Sequence, residues 1–261
     1  MADLHVTDVG TGPAVLLLHG IGGSADSFTP QFDELAGQLR LLAWDAPGYA
    51  RSADPDGPLS LDDYADAAAA VIRDRCGDRG AHVLGMSWGG VIATRLVLRH
   101  PELVRSLILG DSTVGSAGTA ESAAAMRSRA DQLAELGPAE FAAQRAPKLW
   151  SDTASDEQVR AAVAAMADAI RLPGYRHAAE SMAAADHTAD LTRIDTPTLV
   201  LCGDADTVTG EASSQVLAGG IPGSVFVTVH GAGHLANQER PAAFNAWFES
   251  FVHITERLHN H

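Results

Sequence analysis

Lysine is almost missing from this 261-residue chain: Lys148 is the only one, so nearly all positive charge is arginine. Against 18 basic residues stand 33 acidic ones, a formal net charge of −15. A surface of that sign repels phosphate backbones and anionic headgroups, which excludes nucleic acid or a membrane as the expected partner. Abundant alanine with scarce lysine fits a GC-rich bacterial source. Only two cysteines occur, Cys76 near a predicted helix end and Cys202 in an apolar run, far apart in sequence, and both read as buried free thiols. No Cys/His spacing suits a metal, so neither metal nor cofactor is expected. No apolar run approaches the ~18 residues of a membrane span. Met1–Gly12 has neither a basic start nor an apolar stretch of signal-peptide type. The expectation is a soluble, cytoplasmic protein with a small-molecule partner, a homo-oligomer being left open.

What is present is alternation. Leu4–Val9, Ala14–Leu18, Leu41–Trp44, His82–Leu84 and Ser106–Leu109 read as strands. Between them Gln31–Leu39, Leu61–Arg75 (with Ser60 as N-cap) and Gly89–Leu98 carry helical periodicity. That rhythm implies right-handed βαβ crossovers and a mostly parallel sheet with helices on both faces. It stops at Gly110. From Ser112 to about Thr196 only helical stretches are legible: Ala120–Leu136, Pro138–Gln144, Asp156–Ile170 and Tyr175–Ala185. Strands resume at Thr198–Cys202 and Ser224–Val229 around a helix near Ser213–Ala218. The last helix, Pro241–Glu256, sets Phe244, Trp247, Phe248 and Phe251 at i, i+3, i+4 and i+7, as expected of core-facing residues. The expected division is a core from 1–111 and 197–261 with a helical lid, 112–196, packed on the sheet edge.

The chemistry centres on Gly85-Met86-Ser87-Trp88-Gly89-Gly90, between a predicted strand and a predicted helix. A serine at so sharp a turn needs tiny neighbours two positions either side, and the helix that follows aims its N-terminal N–H groups at the reacting oxygen. The pattern alone is weak, since roughly one chain in seven of this composition carries it by chance. Its partners give it weight.

A serine hydroxyl needs a base, and the base needs a carboxylate to hold its tautomer. In a doubly wound sheet these groups come from loops at the carboxyl ends of strands. Thr198–Cys202 runs into Gly203-Asp204-Ala205-Asp206, and Ser224–Val229 into His230-Gly231-Ala232-Gly233-His234. Of eleven histidines, His234 lies in a glycine-rich loop free to reach across the strand ends, whereas His230 sits at the strand end and points into packing or solvent. His177, His187, His253, His259 and His261 read as surface residues. For the acid, Asp206 and Asp204 compete, with Asp111 a third strand-end choice. An oxyanion hole is also required, and backbone N–H groups fixed before reaction suit it. Trp88 supplies one, and Ile21, in the loop His19-Gly20-Ile21-Gly22-Gly23, the second. That loop lacks both the Walker lysine and Gly-x-Gly-x-x-Gly spacing, which argues against phosphate cradling. His19 reads as a brace for it.

These pieces, with Trp44-Asp45-Ala46-Pro47-Gly48-Tyr49-Ala50-Arg51-Ser52, resemble the α/β-hydrolase fold superfamily from about Leu4 to Val252. The resemblance implies an α/β fold with an eight-stranded sheet, one strand antiparallel, and a helical cap after strand six, where 112–196 falls. The chain starts at what looks like the second strand, so seven strands is the alternative. It also selects Asp206 as the acid, giving Ser87, Asp206 and His234 as catalytic residues with no metal.

His234-Leu235-Ala236-Asn237-Gln238-Glu239-Arg240-Pro241, together with Ile221-Pro222-Gly223-Ser224, is similar to the 3-oxoadipate enol-lactonase group. Meta-cleavage-product hydrolases, which cut C–C bonds, share cap and triad. They usually carry an aromatic residue where Leu235 stands. Ser87 in place of aspartate speaks against haloalkane dehalogenases and epoxide hydrolases. The expectation is a serine hydrolase of small esters or lactones. C–C hydrolysis and a non-hydrolytic binding or cyclase role are the alternatives. Trp88 and Leu235 are expected at the substrate, with packing under the helix as the alternative for the Trp88 indole. Arg127, Arg129, Arg145 and Arg176 could clamp a substrate carboxylate, solvated helix faces being the plainer reading.

Overall fold

A computed structural model describes residues 3–259. The strands are β1 (Val6–Val9), β2 (Ala14–Leu18), β3 (Arg40–Trp44), β4 (Ala81–Met86), β5 (Val104–Gly110), β6 (Thr198–Gly203) and β7 (Val225–Val229). They form one sheet in the order β1-β3-β2-β4-β5-β6-β7. β1 pairs with β3 antiparallel; every other pairing is parallel. Among the described residues the sheet thus has seven strands rather than eight. Its antiparallel edge strand, β1, is the one that the superfamily pattern places second.

Period-two alternation separates the faces. Leu16, Leu18, Leu42, Trp44, Val83, Leu107, Leu109 and Val200 join one buried cluster with α2 (Leu61–Cys76) and α3 (Trp88–Arg99). Val15, Leu17, Leu41, Ala43, Leu84, Ile108, Leu199 and Leu201 join another, against α1 (Thr29–Leu35) and α9 (Pro241–His259). Both faces being covered explains why the central strands are continuously apolar. Ser60 caps α2 with a capping box in which Asp63 answers the Ser60 N–H, as the sequence suggests. α1 stops at Leu35, short of Leu39, because Ala36-Gly37 breaks the period and Leu39 turns inward ahead of β3. In α9, Phe244, Phe248 and Val252 are fully buried, but Trp247 is 49% exposed. At about 100° per residue it lies more than a quarter-turn round from the centre of that stripe.

Between β5 and β6 the described chain holds helices and connecting loops: α4 (Ala120–Arg145), α5 (Asp156–Ala169) and α6 (Gly174–Ala183). α4 is two helices joined at Gly137, whose φ of +74° and following Pro138 break it where the sequence does. The insertion docks on the loop after β3. Arg171 donates to the Ala50 and Ser52 carbonyls and to Asp54, and Gly48 and Gly174 touch backbone to backbone. α7 (Gly210–Gly220) and the short α8 (Ala236–Glu239) complete the α-helices among the described residues. Among the described residues no helix is long and apolar enough to cross a membrane. Cys76 and Cys202 are free and buried.

Candidate active site

Ser87 sits between β4 and α3 with φ +52° and ψ −116°, a conformation an L-residue adopts only when its surroundings force it. The flanking glycines show how. A Cβ on Gly85 would stand 2.3 Å from the Gly89 carbonyl oxygen, and one on Gly89 would stand 2.0 Å from that of Leu18. The turn is held by the Ser87 N–H, which donates to the Gly110 carbonyl at 2.8 Å, and by Ser112 Oγ, which donates to the Ser87 carbonyl at 2.8 Å.

Sheet topology delivers the partners to this turn, since β6 and β7 end on the same side as β4. The Ser87 hydroxyl donates to His234 Nε2 at 2.9 Å, and His234 Nδ1–H donates to Asp206 Oδ2, also at 2.9 Å. His234 is 5% exposed and Asp206 8%. Asp206 accepts further from the Val208 and Thr209 N–H groups and from Thr209 Oγ1. Burial works against its charge, but the bonds from His234 and Thr209 hold its carboxyl well below the usual carboxylate range.

The competing acids have other work. Asp204 is paired with the exposed His230 at 3.0 Å and accepts from the Gly231 N–H, fixing the outer part of the loop. Asp111, fully buried at φ +45°, receives the Gly203 and Ala236 N–H groups and so ties β5 to the loops carrying Asp206 and His234. Burial lifts its carboxyl to about 7. Ligand atoms of Asp111, Cys202 and Asp206 lie within 4.8 Å of one another. Their oxygens, however, are already committed to N–H and O–H donors, as expected of a braced loop rather than a cation cradle.

His19 is buried, with Nδ1–H donating to the Gly20 carbonyl and Nε2 accepting from the Ala46 N–H. Burial lowers its pKa, in keeping with a neutral brace. Tyr49 donates to the Ile21 carbonyl, which fixes the Ile21 peptide beside the serine turn. Trp88 opens α3, so its N–H has no partner one turn back within the helix.

Of the two places open to it, the Trp88 side chain takes the packed one. It is 1% exposed, packs at tilted angles against His19 and Tyr49 and edge-on against Tyr64, and donates Nε1–H to Ser181 of α6 at 3.0 Å. The helix start turns the indole away from the pocket into the packing beneath the insertion. Leu235 does line the pocket, a cavity of about 890 Å³ including its mouth. Ser87, His234, Ile21, Met166 and Tyr175 line the same pocket, as do Arg129 and Arg145. Arg127 and Arg176 instead pair on the outside with Glu180 and Asp131. His187 is 3% exposed rather than superficial, bonding the Val91 carbonyl. The side chain of His259, and all of His261, lie outside the described residues.

Two supports were not legible. Glu239, buried beside the His234 loop, accepts from the Gly233 N–H and from both the N–H and Oγ of Ser151, stitching that loop to the insertion. Asp45 accepts from the Ala25 N–H and from Arg51, anchoring the segment after the His19–Gly23 loop. The sequence signals only that each is an acid in a loop or short helix.

Comparison with known proteins matches this geometry. A family model described as alpha/beta hydrolase fold fits residues 13–241. The chain is 28% identical over 243 residues to 3-oxoadipate enol-lactonase 2 of Acinetobacter baylyi, covering 92% of this chain and 88% of that protein. It is 29% identical over 254 residues to a protein of Azorhizobium caulinodans provisionally named carbamate hydrolase RutD, covering 96% and 95%. Among solved structures, a malate-bound thermophilic esterase from Thermogutta terrifontis superposes with a TM-score of 0.88 at 26% identity, covering 97% and 94%. With the fold, the sheet order and the family match in agreement, the chain belongs to the α/β-hydrolase fold family and is a hydrolase.

Proposed function

We propose that this hydrolase cleaves a small carboxylic ester or lactone through an acyl-enzyme on Ser87, with His234 as base and Asp206 as its orienting acid. The observation that carries the reading is the unbroken hydrogen-bond relay from Ser87 Oγ through His234 to Asp206, both links 2.9 Å long. As Ser87 Oγ attacks the carbonyl carbon, its proton passes to His234 Nε2. Asp206 stabilises the imidazolium that results. The carbonyl oxygen becomes an oxyanion received by the Ile21 and Trp88 N–H groups. Collapse expels the alkoxide, which takes the proton from His234. Water, deprotonated by the same nitrogen, then releases the acid and restores the serine. Metal and cofactor have no part in these steps.

The names borne by the relatives support this choice of bond. The enol-lactonase and the esterase are named for esters in the broad sense, and a carbamate offers an acyl carbonyl that carries nitrogen in place of carbon. A panel of p-nitrophenyl esters, aliphatic lactones and a dienol diketone, run with wild type and Ser87→Ala, tests the proposal. Turnover of esters or lactones that falls at least ~10⁴-fold in the variant is the expected result. Turnover of the diketone alone would replace this reading with C–C hydrolysis.

A further inference from the structure

Among the described residues, eleven of the seventeen arginines make an ion pair with a carboxylate. That is unsurprising in a chain with almost twice as many acids as bases. Arg129 and Arg145 are exceptions of a particular kind. Both are half-buried, both line the pocket that holds Ser87, and neither has a carboxylate or other hydrogen-bond partner among the described residues. No aspartate or glutamate lines that pocket. Tyr175 lines the same pocket, close enough to feel the charge of both. Its ring is 1% exposed and set edge-on to Phe141 at 5.3 Å, and its hydroxyl has no partner among the described residues.

Two guanidinium groups facing one partly desolvated cavity repel each other and forgo hydration, a cost a protein tolerates where a ligand supplies the opposite charge. Burial first, and Arg145 second, push Arg129 down to about 10, which leaves Arg129 cationic at neutral pH. The Tyr175 hydroxyl is pushed up by burial, opposed by the two arginines beside it, so it remains a donor. Two guanidinium groups, with ten N–H donors between them, and one O–H thus border a pocket whose lining holds no carboxylate. The bidentate fork of arginine matches a carboxylate, whose two oxygens lie in one plane.

We infer that Arg129, Arg145 and Tyr175 form a carboxylate-binding subsite, and that the natural substrate is an ester or lactone bearing a second, free carboxylate, such as a monoester or lactone of a dicarboxylic acid. The subsite rests on the reading of Ser87 as the nucleophile, because it faces the same cavity. Its work is to hold the remote carboxylate so that the scissile carbonyl meets Ser87. With a surface that carries a net −15, this local pair of cations is also what draws an anion into the pocket.

The test uses a matched pair of substrates, p-nitrophenyl hydrogen glutarate and its neutral methyl ester, which differ only in the remote charge. Wild type should prefer the acid at least 10-fold in kcat/KM, mainly through KM. Arg129→Gln and Arg145→Gln should each cut that ratio about 10- to 100-fold, the loss of one charge-assisted contact, and Arg145→Lys should fall between. Near-UV circular dichroism checks that the variants are folded. A wild-type ratio at or below one, or a ratio unchanged in the double variant, overturns the subsite. Turnover of the neutral ester and labelling of Ser87 by a fluorophosphonate report separately on the nucleophile. Loss of both refutes the serine mechanism instead. In that event glutarate binding by calorimetry still judges the subsite: binding lost in the double variant supports it, and no binding by wild type overturns it.

Discussion

Replacing Gly89 with alanine places a methyl carbon 2.0 Å from the Leu18 carbonyl oxygen, 2.5 Å from its carbon and 2.8 Å from the His19 oxygen. All three are backbone atoms of β2 and the start of the His19–Gly23 loop, so no side chain can rotate away. Cβ contacts below 3.0 Å are essentially never tolerated, so the first turn of α3 must retreat from β2 by about 1 Å. Ser87 rides on that turn, and its 2.9 Å bond to His234 would be stretched out of hydrogen-bond range. Overpacking of this kind costs roughly 1–3 kcal/mol of stability. A 1 Å misplacement of a reacting group costs about 10²-fold in rate. The companion variant is Gly219→Ala on exposed α7, where an added Cβ meets nothing within 4 Å. It should stabilise the fold by up to ~1 kcal/mol through helix propensity, with activity unaltered. Urea unfolding by circular dichroism and p-nitrophenyl butyrate hydrolysis read both variants. Gly89→Ala matching wild type in midpoint and kcat would refute the steric account of the turn.

Asp206→Asn leaves the loop bonds to Val208 and Thr209 largely in place but presents the wrong partner to His234 Nδ1–H. Steady-state hydrolysis should fall about 10⁴-fold with little change in KM, and a loss below tenfold would remove Asp206 from the mechanism. Asp111 releases its proton near 3.8 when unfolded and near 7 when folded, so between those values the folded state binds more protons and this group's contribution to stability declines as pH rises. The urea-derived stability of Asp111→Asn relative to wild type should therefore climb from pH 4 to 7, at up to ~1.4 kcal/mol per pH unit, and a flat difference would contradict the burial argument. Ser181→Ala strands the buried Trp88 Nε1–H and should cost about 1–3 kcal/mol, read as a lowered thermal midpoint. Burial pushes the Cys202 thiol up to about 12, so the native protein at pH 8 should leave Cys202 unmodified by Ellman's reagent until denaturant is added.

Strand positions were legible because buried parallel strands are short apolar runs with turn residues at their ends, and Ala14–Leu18 shows this plainly. Ser87, His234 and Asp206 were legible because each follows such a run, so topology alone brings them together. Choosing Asp206 over Asp204 needed the family resemblance. The structure gives the physical reason, since Asp204 is spent on His230 and Gly231. What eluded the sequence depends on rotation about an axis. The direction of Trp88 is fixed by the first turn of α3 and by Ser181, 93 positions away. The exposure of Trp247 and the burial of His187 follow from where each helix or loop meets its neighbour, which spacing constrains only loosely. The four arginines of the insertion read alike in sequence. Packing alone sets Arg129 and Arg145 inward and leaves Arg127 and Arg176 paired outside.

The central claim is that Ser87 is the nucleophile and His234 its base. Peptide mapping by mass spectrometry after reaction with a fluorophosphonate tests it most directly. The account predicts one adduct, on the peptide carrying Ser87, formed by wild type, absent in Ser87→Ala and slowed by orders of magnitude in His234→Ala. An adduct on another residue, or labelling undiminished when His234 is replaced, would contradict it.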